Sequence, residues 1–488
     1  MEKLKISENR RYFVTEDGTP FSWLADTNWT MPQRMKWDDA EYLMQKRKSQ
    51  GFTVLQIVAL DPEADSEMRS PIGEKALHDN NLLTPNEKYF EYLDWILDKA
   101  ESYGFYVLLL PVWGQLVVGH NWMGQTFEKT VTENNAFQFG KWIGERYKNR
   151  SHIIWCLGGD RQPVHLGTDY KNVWRLMAEG IAKGVLGKDL KYNQPDPAWE
   201  DLLMTYHTCH EMETGKCSTM SYWTDEDVWI RFIMLQSGHG LTVKNYELVA
   251  KEYNREHIMP VWDGEPAYEM MPSSWPVAND FHGPWMVRKR AFWSLFAGAF
   301  GYTYGHSSVW CSVSEKERNE MNQFTWFEAL DSEGSSHMKH LREFMDATQI
   351  MTYIPSQELL TDTASAGKNP DMHLQACISP KKDTICVYLP GGGDVSVNVI
   401  PLNSAAVWIW WYRPSDGRFY TDKQTVTDTA VKQVPKAGTL YAEAPTSGLE
   451  QDWVLIIKTY PADAPVQQNT YYDLKRTHQI KKVFEWDE

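Results

Sequence analysis

Short apolar runs alternate with amphipathic segments over the first 350 or so residues of the chain. A buried parallel strand reads as a short, nearly continuous apolar run, whereas a helix packed on a sheet repeats its apolar positions three and four residues apart. The pattern predicts eight strands, each ending in polar residues: Phe21–Trp29, Phe52–Leu60, Phe105–Trp113, His152–Asp160, Asp201–His207, Trp229–Ser237, Ile258–Glu265 and Ala297–His306.

Helical periodicity fills most of the gaps between these runs. The first helix begins near Trp37, takes Asp38 or Asp39 as its cap and ends at Gly51. The others are predicted over Pro85–Tyr103, Asn135–Tyr147, Tyr170–Val185, Tyr246–Glu256 and Trp285–Phe296. Strands that alternate with helices predict a (β/α)₈ TIM barrel rather than an open, doubly wound sheet.

The pattern changes at about Tyr353–Pro355, after which helical periodicity stops. Short apolar runs now alternate with turn clusters, which is typical of a small antiparallel β-sandwich. The runs are Leu374–Ile378, Thr384–Leu389, Val395–Val399, Ala406–Tyr412 and Trp453–Lys458. We therefore predict a barrel with an N-terminal β-hairpin over residues 1–353, a sandwich over 354–460 and a polar C-terminal tail over 461–488.

Composition narrows the classes of partner. The formal net charge of −16 and the absence of a Lys/Arg stripe argue against nucleic acid. No apolar run approaches the roughly 20 residues of a membrane-spanning helix. The 23 Trp, 24 Tyr and 18 Phe residues suit the flat faces of sugar rings, although most must fill the core. The expected partner is an oligosaccharide or glycoside, and the sequence does not decide between a monomer and an oligomer.

No cofactor or metal is expected. The six cysteines fit neither a zinc motif nor a disulfide framework, and His207 and His210 lack the order of the zinc peptidases. The first residues contain no apolar signal region. This predicts a cytoplasmic protein if Met1 is the native start, and a periplasmic or secreted one if a signal peptide was removed.

The strongest candidates for catalytic carboxylates follow two of the predicted strands. Asp160 follows Gly158-Gly159, and Glu265 follows Asp263-Gly264. Barrel enzymes collect catalytic groups at the carboxyl ends of their strands, and glycoside hydrolysis needs two carboxyl groups that flank one bond. We therefore predict that Asp160 and Glu265 face each other across one cleft. In the alternative interpretation Asp160 caps a helix or forms a loop ion pair, and Asp263 competes with Glu265, with Glu269 and Glu211 as weaker rivals.

Other strand-end residues supply the predicted substrate contacts. They are Asp26, Trp29, Trp113, Arg161, His207, Gln236, Asp263, Tyr304 and His306. Trp29, Trp113 and Trp310 are candidates for stacking on sugar, or alternatively for the core. The chain lacks a G-x-S-x-G nucleophile motif, a G-x-G-x-x-G loop and a Walker loop, which disfavours acyl, dinucleotide and phosphoryl chemistry.

Four segments resemble the apiosidase-like bacterial glycoside hydrolases, glycoside hydrolase family 140: Leu24–Trp29, Trp155–Asp160, Gln236–His239 and Asp263–Pro266. The resemblance implies a retaining double-displacement enzyme, with Asp160 as acid/base and Glu265 as nucleophile. It also implies export and a substrate such as the apiose-bearing side chains of pectic rhamnogalacturonan II. Most related barrel glycosidases have Asn-Glu at the end of strand four, where this chain has Gly159-Asp160. The second domain resembles the sandwich that follows such barrels and is named for collagen binding.

The sequence therefore predicts a retaining exo-glycosidase that acts on pectic oligosaccharides. The alternatives are a non-catalytic carbohydrate-binding barrel and an inverting glycosidase of other specificity. A pectin lyase is disfavoured because the strand ends offer no acidic cluster for calcium.

Overall fold

The computed structural model describes residues 1–459 except 122, 275–276, 278–279, 363–369, 421–430 and 434–437. The predicted tail over 461–488 lies outside the described residues. The first domain contains eight parallel strands, which confirms the predicted barrel. They are β1 (Trp23–Thr27), β2 (Val54–Val58), β3 (Tyr106–Leu110), β4 (Ile153–Gly158), β5 (Met204–His207), β6 (Ile233–Leu235), β7 (Val261–Asp263) and β8 (Gly301–Tyr304).

The strands follow the order β6-β7-β8-β1-β2-β3-β4-β5. Hydrogen bonds also join β5 to β6 and so close the barrel. The backbone N–H of Arg231, just before β6, donates to the carbonyl of Met204 in β5 at 2.9 Å. The hydroxyl of Thr205 donates to the carbonyl of Phe232 at 2.6 Å. Because all eight strands run the same way, their carboxyl ends meet at one mouth.

Seven longer helices surround the sheet: α1 (Trp37–Ser49), α2 (Glu87–Ser102), α3 (Ala136–Tyr147), α4 (Lys171–Leu186), α5 (Asn245–Tyr253), α6 (Pro284–Phe296) and α7 (Glu333–Thr348). Short helices span Met31–Arg34, Gln115–Val118 and Trp326–Ala329. Among the described residues, no helix combines the length and hydropathy needed to cross a bilayer.

The structure differs from the predicted elements at several points. The third strand ends at Leu110 because Pro111 cannot continue a sheet ladder. The cap position before α1 is Lys36, and the two aspartates lie in the first turn, where they complement the helix dipole. The described chain between β5 and β6 has no α-helix, only a 3₁₀ turn at Thr219–Ser221. Helix α7 and the strand Thr439–Ser447 were not predicted.

Side chains of alternate strand residues fill two separate cores. Those that point into the barrel, such as Trp23, Phe232 and Trp262, form the inner cluster. Phe13 of the N-terminal hairpin closes the end opposite the mouth, with its ring centroid 5.5 Å from that of Trp23 and 4.7 Å from that of Phe300. Side chains on the outer face pack against the helices. The barrel interior is therefore filled by side chains.

The second domain consists of antiparallel sheets, as predicted. In its described part, one sheet contains Ile354–Pro355, Gln375–Ile378, Thr384–Leu389, Ala406–Arg413, Arg418–Tyr420, Val431–Gln433 and Trp453–Thr459, and the other contains Leu360–Asp362, Gly392–Asn398 and Thr439–Ser447. Hydrophobic side chains between the two sheets form a core of their own.

One face of the larger sheet packs directly on the barrel. Tyr388 stacks on Phe292 of α6, with ring centroids 5.0 Å apart, and Tyr388, Trp408 and Trp410 belong to the same hydrophobic cluster as the barrel helices. Arg288 of α6 makes a buried, two-pronged ion pair with Asp452, at 2.8 and 3.1 Å. The two domains therefore share one continuous core.

Candidate active site

Asp160 lies on a sharp turn after β4. Gly158, Gly159 and Asp160 have φ angles of +88°, +110° and +49°. A Cβ on Gly158 would lie 2.3 Å from the carbonyl oxygen of His207, and one on Gly159 would lie 2.5 Å from the ring of Trp113. Only glycine fits both positions, and their turn carries Asp160 over the barrel mouth.

Two side chains fix the carboxyl group of Asp160. The amide of Gln236 donates to Oδ1 at 2.9 Å, and the guanidinium of Arg161 donates to Oδ2 at 2.9 Å. Arg161 is itself held, because its Nε donates to the carbonyl of His120 at 2.9 Å. The carboxyl group of Asp160 is partly exposed, so it can reach a ligand in the cleft.

Glu265 leaves the sheet two residues after the end of β7. Its backbone carbonyl accepts a hydrogen bond from the N–H of Gly238 at 3.0 Å, which turns its side chain toward the mouth. Oε2 accepts from Nε2 of His207 at 2.8 Å, and Nε2 of His239 lies 3.5 Å from Oε1. The carboxylate of Glu265 is thus held between two imidazoles.

His207, at the end of β5, links the two carboxyl residues. The backbone N–H of Asp160 donates to its Nδ1 at 2.6 Å. Because Nδ1 accepts, Nε2 carries the proton and donates it to Glu265. The ring stacks on Trp113 at 5.7 Å between centroids, and Trp29 lies 5.5 Å away. A single imidazole therefore separates the backbone of Asp160 from the carboxylate of Glu265.

Electrostatics keep Glu265 ionised. Burial alone would raise the pKa of its carboxyl group, but the hydrogen bonds from His207 and His239 outweigh burial and hold the pKa well below its usual range. Glu63, on the loop after β2, has a raised pKa, caused first by the loss of solvent around its carboxyl group and then by the charge of Asp160. Glu63 therefore lies close enough to Asp160 for the two carboxyl groups to affect each other.

Five of the predicted substrate-binding residues meet at this mouth: Trp29, Trp113, Arg161, His207 and Gln236. In the structure they hold or enclose the two carboxyl residues. Trp310 lies beside them, partly buried against the inner cluster.

Two other predicted residues, Asp26 and Tyr304, face the helix layer instead of the mouth. Asp26 accepts hydrogen bonds from Arg47 and Asn28 at 2.7 and 2.9 Å. The hydroxyl of Tyr304 donates to Glu269 at 2.6 Å. All of these groups are buried, and they fasten helices to strands rather than line the cleft.

Asp263 and His306 are also buried away from a ligand. Asp263 accepts from the hydroxyl of Ser237 at 2.7 Å and from the amide of Asn245 at 3.0 Å. The chain turns out of the sheet after Asp263, so Asp263 and Glu265 do not share a face, contrary to the expectation for a continuing strand. Nδ1 of His306 accepts from the N–H of Ser308 at 3.0 Å, and burial lowers the pKa of His306 to about 3.

Sequence reasoning did not assign roles to His239, Glu63 or Cys209. His239 follows Gln236 by three residues, inside a segment that carries the family resemblance. Glu63 follows the polar end of the second strand. Cys209 lies near Asp160, whose charge adds to the effect of burial and raises the pKa of the thiol. All three follow strand ends, and that is the one signal that points to them.

The described residues contain no group of three or more His, Cys, Asp or Glu side chains arranged to hold a metal ion. Both ring nitrogens of His207 are already engaged by Asp160 and Glu265. The arrangement instead offers one ionised carboxylate, one carboxyl group fixed by hydrogen bonds and an aromatic wall. This set can attack an anomeric carbon and protonate a leaving oxygen.

Comparisons with known proteins agree with this chemistry. Residues 7–352 match the family described as "Apiosidase-like, catalytic domain", and residues 354–458 match one described as the collagen-binding domain of a collagenase. No curated protein matches the chain. A solved structure named "Glycoside hydrolase" is similar to the chain at 26% identity and a TM-score of 0.79, covering 95% of this chain and 98% of that one. A glycoside hydrolase family 5 protein from Bacteroides vulgatus is similar at 25% identity and a TM-score of 0.79, covering 98% and 97%.

Proposed function

This chain belongs to the apiosidase-like family of glycoside hydrolases, and we propose that it is a retaining exo-glycosidase that releases a terminal sugar such as apiose from pectic oligosaccharides. Glu265 attacks the anomeric carbon and forms a glycosyl-enzyme. Asp160 protonates the leaving oxygen and then removes a proton from the incoming water. The single observation that carries the proposal is the bridge from Asp160 through His207 to Glu265.

The family resemblance implies retention, and the bridge supplies the two carboxyl residues that this mechanism needs. Retaining enzymes place their carboxyl groups about 5–5.5 Å apart, and inverting enzymes leave a wider gap of about 6.5–9.5 Å for water. One imidazole contacts the backbone of Asp160 and the carboxylate of Glu265, which holds both residues at one mouth, and the separation of their carboxyl groups distinguishes the two mechanisms. In addition, His207 and His239 keep Glu265 ionised, as a nucleophile must be.

The choice of sugar rests on the family. An apiosidase releases apiose, and the rings of Trp29 and Trp113 pack beside His207, next to the proposed position of the terminal sugar ring. Loops rather than the barrel set the specificity of such enzymes, so the sugar is identified directly from the product released.

Product release from rhamnogalacturonan-type oligosaccharides, read by chromatography, tests the proposal. We expect the wild type to release a single monosaccharide and Glu265→Ala to release none. Added azide should restore turnover of Glu265→Ala, because a small anion can attack from the space that the carboxylate leaves, and the glycosyl azide should have the inverted anomeric configuration. A wild type that binds sugar without turnover would indicate a carbohydrate-binding barrel. A first product of inverted configuration from the wild type would indicate an inverting enzyme.

A further inference from the structure

A cavity of about 430 Å³ is lined by segments that lead into three neighbouring strands of the barrel. They are the 3₁₀ turn Pro197–Asp201 before β5, residues 224–231 before β6 and Met259 before β7, and Arg10 of the N-terminal hairpin completes the lining. Ligand sites in proteins commonly measure about 300–1,000 Å³. The cavity is therefore large enough for a small ligand, and it lies at the amino ends of the strands, opposite the catalytic mouth.

Part of the lining is apolar. The side chains of Trp199, Ile230 and Met259 are buried, and the half-buried Met220 also lines the cavity. A ligand that fills this part needs an apolar face of its own, because removing apolar surface from water on both sides is favourable. The C–H face of a sugar ring offers such a surface.

Charged side chains of both signs form much of the rest of the lining. The carboxylate of Glu200 accepts a hydrogen bond from Nη2 of Arg231, and Nη1 of Arg10 lies 3.6 Å from the same carboxylate. Asp225 and Asp227 also line the cavity, and each is paired with an arginine, at 3.1 and 2.7 Å. The lining therefore places hydrogen-bond donors beside hydrogen-bond acceptors.

Two donors of the lining residues are unused. Nε of Arg231, whose side chain is 9% exposed, and Nε1 of Trp199 have no hydrogen-bond partner in the part of the chain that the structure describes. A buried donor without an acceptor is unfavourable, so a ligand that supplies acceptors here would stabilise the folded chain.

We propose that this cavity is a second, non-catalytic binding site for a short neutral segment of an oligosaccharide. Sugar hydroxyls both donate and accept, so they match a lining that holds both kinds of group. A ligand with a carboxylate would meet the negative charges of Glu200 and Asp225, and a purely apolar ligand would bury charged groups without new hydrogen bonds. The site goes beyond the proposed function, because a sugar bound at this end of the barrel is not the one that is cleaved.

Methionine methyl signals in NMR spectra give a test that separates the two ends of the barrel. Met220 and Met259 line the cavity, whereas Met234 packs against Gly264, next to Glu265. The methyl-labelled, non-hydrolysing variant Glu265→Gln is titrated with neutral arabinan and galactan oligosaccharides and, separately, with acidic galacturonan oligosaccharides. We expect at least one neutral oligosaccharide to shift the signals of both cavity methionines saturably. Binding at the mouth alone would shift only the signal of Met234.

A substitution in the lining tests whether the shifts come from binding in the cavity. Adding Glu200→Ala should raise the Kd read from the two cavity methionines more than tenfold, because it removes the carboxylate that Arg10 and Arg231 share. Glu87→Ala is the matched control, since Glu87 is also an exposed glutamate paired with an arginine, but between α2 and α3; the side chains of Glu87 and Glu200 are 65% and 54% exposed. This control should change the Kd less than twofold.

The outcomes separate this inference from the proposed function. Cavity signals that no neutral oligosaccharide shifts at millimolar concentration, that only galacturonan shifts, or whose Kd survives Glu200→Ala would overturn the second site, whether or not the wild type is a glycosidase. If the wild type hydrolysed none of the sugars but a neutral one shifted both cavity signals, the proposed function would fail and the second site would stand.

Discussion

Removal of the His207 side chain should disable catalysis through both carboxyl residues at once. The ring donates to the carboxylate of Glu265 at 2.8 Å and accepts from the backbone of Asp160 at 2.6 Å, in a fully buried position. A hydrogen bond to a charged group contributes about 1.5–3 kcal/mol. If the whole contribution is expressed in the transition state, kcat/KM of His207→Ala falls by roughly 10- to 150-fold.

The pH profile separates this role from simple loss of structure. Glu265 must be ionised to attack, so activity is present above its pKa and is lost as the pH falls through it. His207 and His239 lower that pKa against the effect of burial. Without His207 the pKa rises, and the acid limb of kcat/KM should move to higher pH. A structural defect alone would lower the profile without moving this limb.

The assay is kcat/KM between about pH 3 and 8 on the substrate that the wild type hydrolyses, with thermal unfolding measured in parallel. His257→Ala serves as the control, because His257 is exposed before β7, at the opposite end of the barrel. Activity of His207→Ala within threefold of the wild type, or an unchanged acid limb, would refute the proposed bridge.

Three further predictions address the turn, the domain contact and the acid response. Gly159→Ala should lower kcat/KM more than tenfold because its Cβ would meet Trp113, whereas Gly167→Ala, with open space around its Cβ, should change kcat/KM less than twofold. Asp452→Ala should reduce the free energy of unfolding by about 3–5 kcal/mol, since it leaves Arg288 buried and unpaired; Glu358→Ala on the surface should change it by less than about 0.5 kcal/mol in the same denaturant titration. His282 is buried and donates to the carbonyl of His239, and burial lowers its pKa from 6.5 to about 4. As the pH falls from 6.5 to 4 the unfolded chain takes up a proton at this residue that the folded chain does not, so His282 alone should lower stability by about 3 kcal/mol over this range, and the fall should be smaller by about that amount in His282→Asn.

The barrel was predictable because its strands are buried on both faces and its helices on one, so the two leave different apolar patterns. The structure of the segment between β5 and β6 could not be predicted. Its only regular element in the described chain is one 3₁₀ turn at Thr219–Ser221, which is too short to show a helical period. The strand Thr439–Ser447 alternates buried and exposed residues, but two of its buried residues, Ala442 and Ala444, are small, which weakens the apolar pattern.

For the candidate site, the sequence predicted the two carboxyl residues but not which neighbouring side chains face them. Asp160 and Glu265 follow glycines just past a strand end, and the sequence alone pointed to both. Asp26 and Tyr304 come from equivalent strand ends, but they share the face of Leu24 and Tyr302, which packs on the helices. Which face of a strand points into a barrel depends on the stagger between strands, and no single strand reveals that stagger.

The ion pair between Arg288 and Asp452 also has a consequence for folding during synthesis, because its two residues emerge from the ribosome at different times. The two residues are 164 positions apart. At about 5–20 residues per second, the ribosome completes Arg288 roughly 8–30 s before its partner emerges. During that interval the second domain is not yet available to cover the aromatic face of α6. The nascent barrel therefore exposes the guanidinium of Arg288 and the apolar ring of Phe292 together. Synthesis is thus the stage at which this face of the barrel is most open to aggregation.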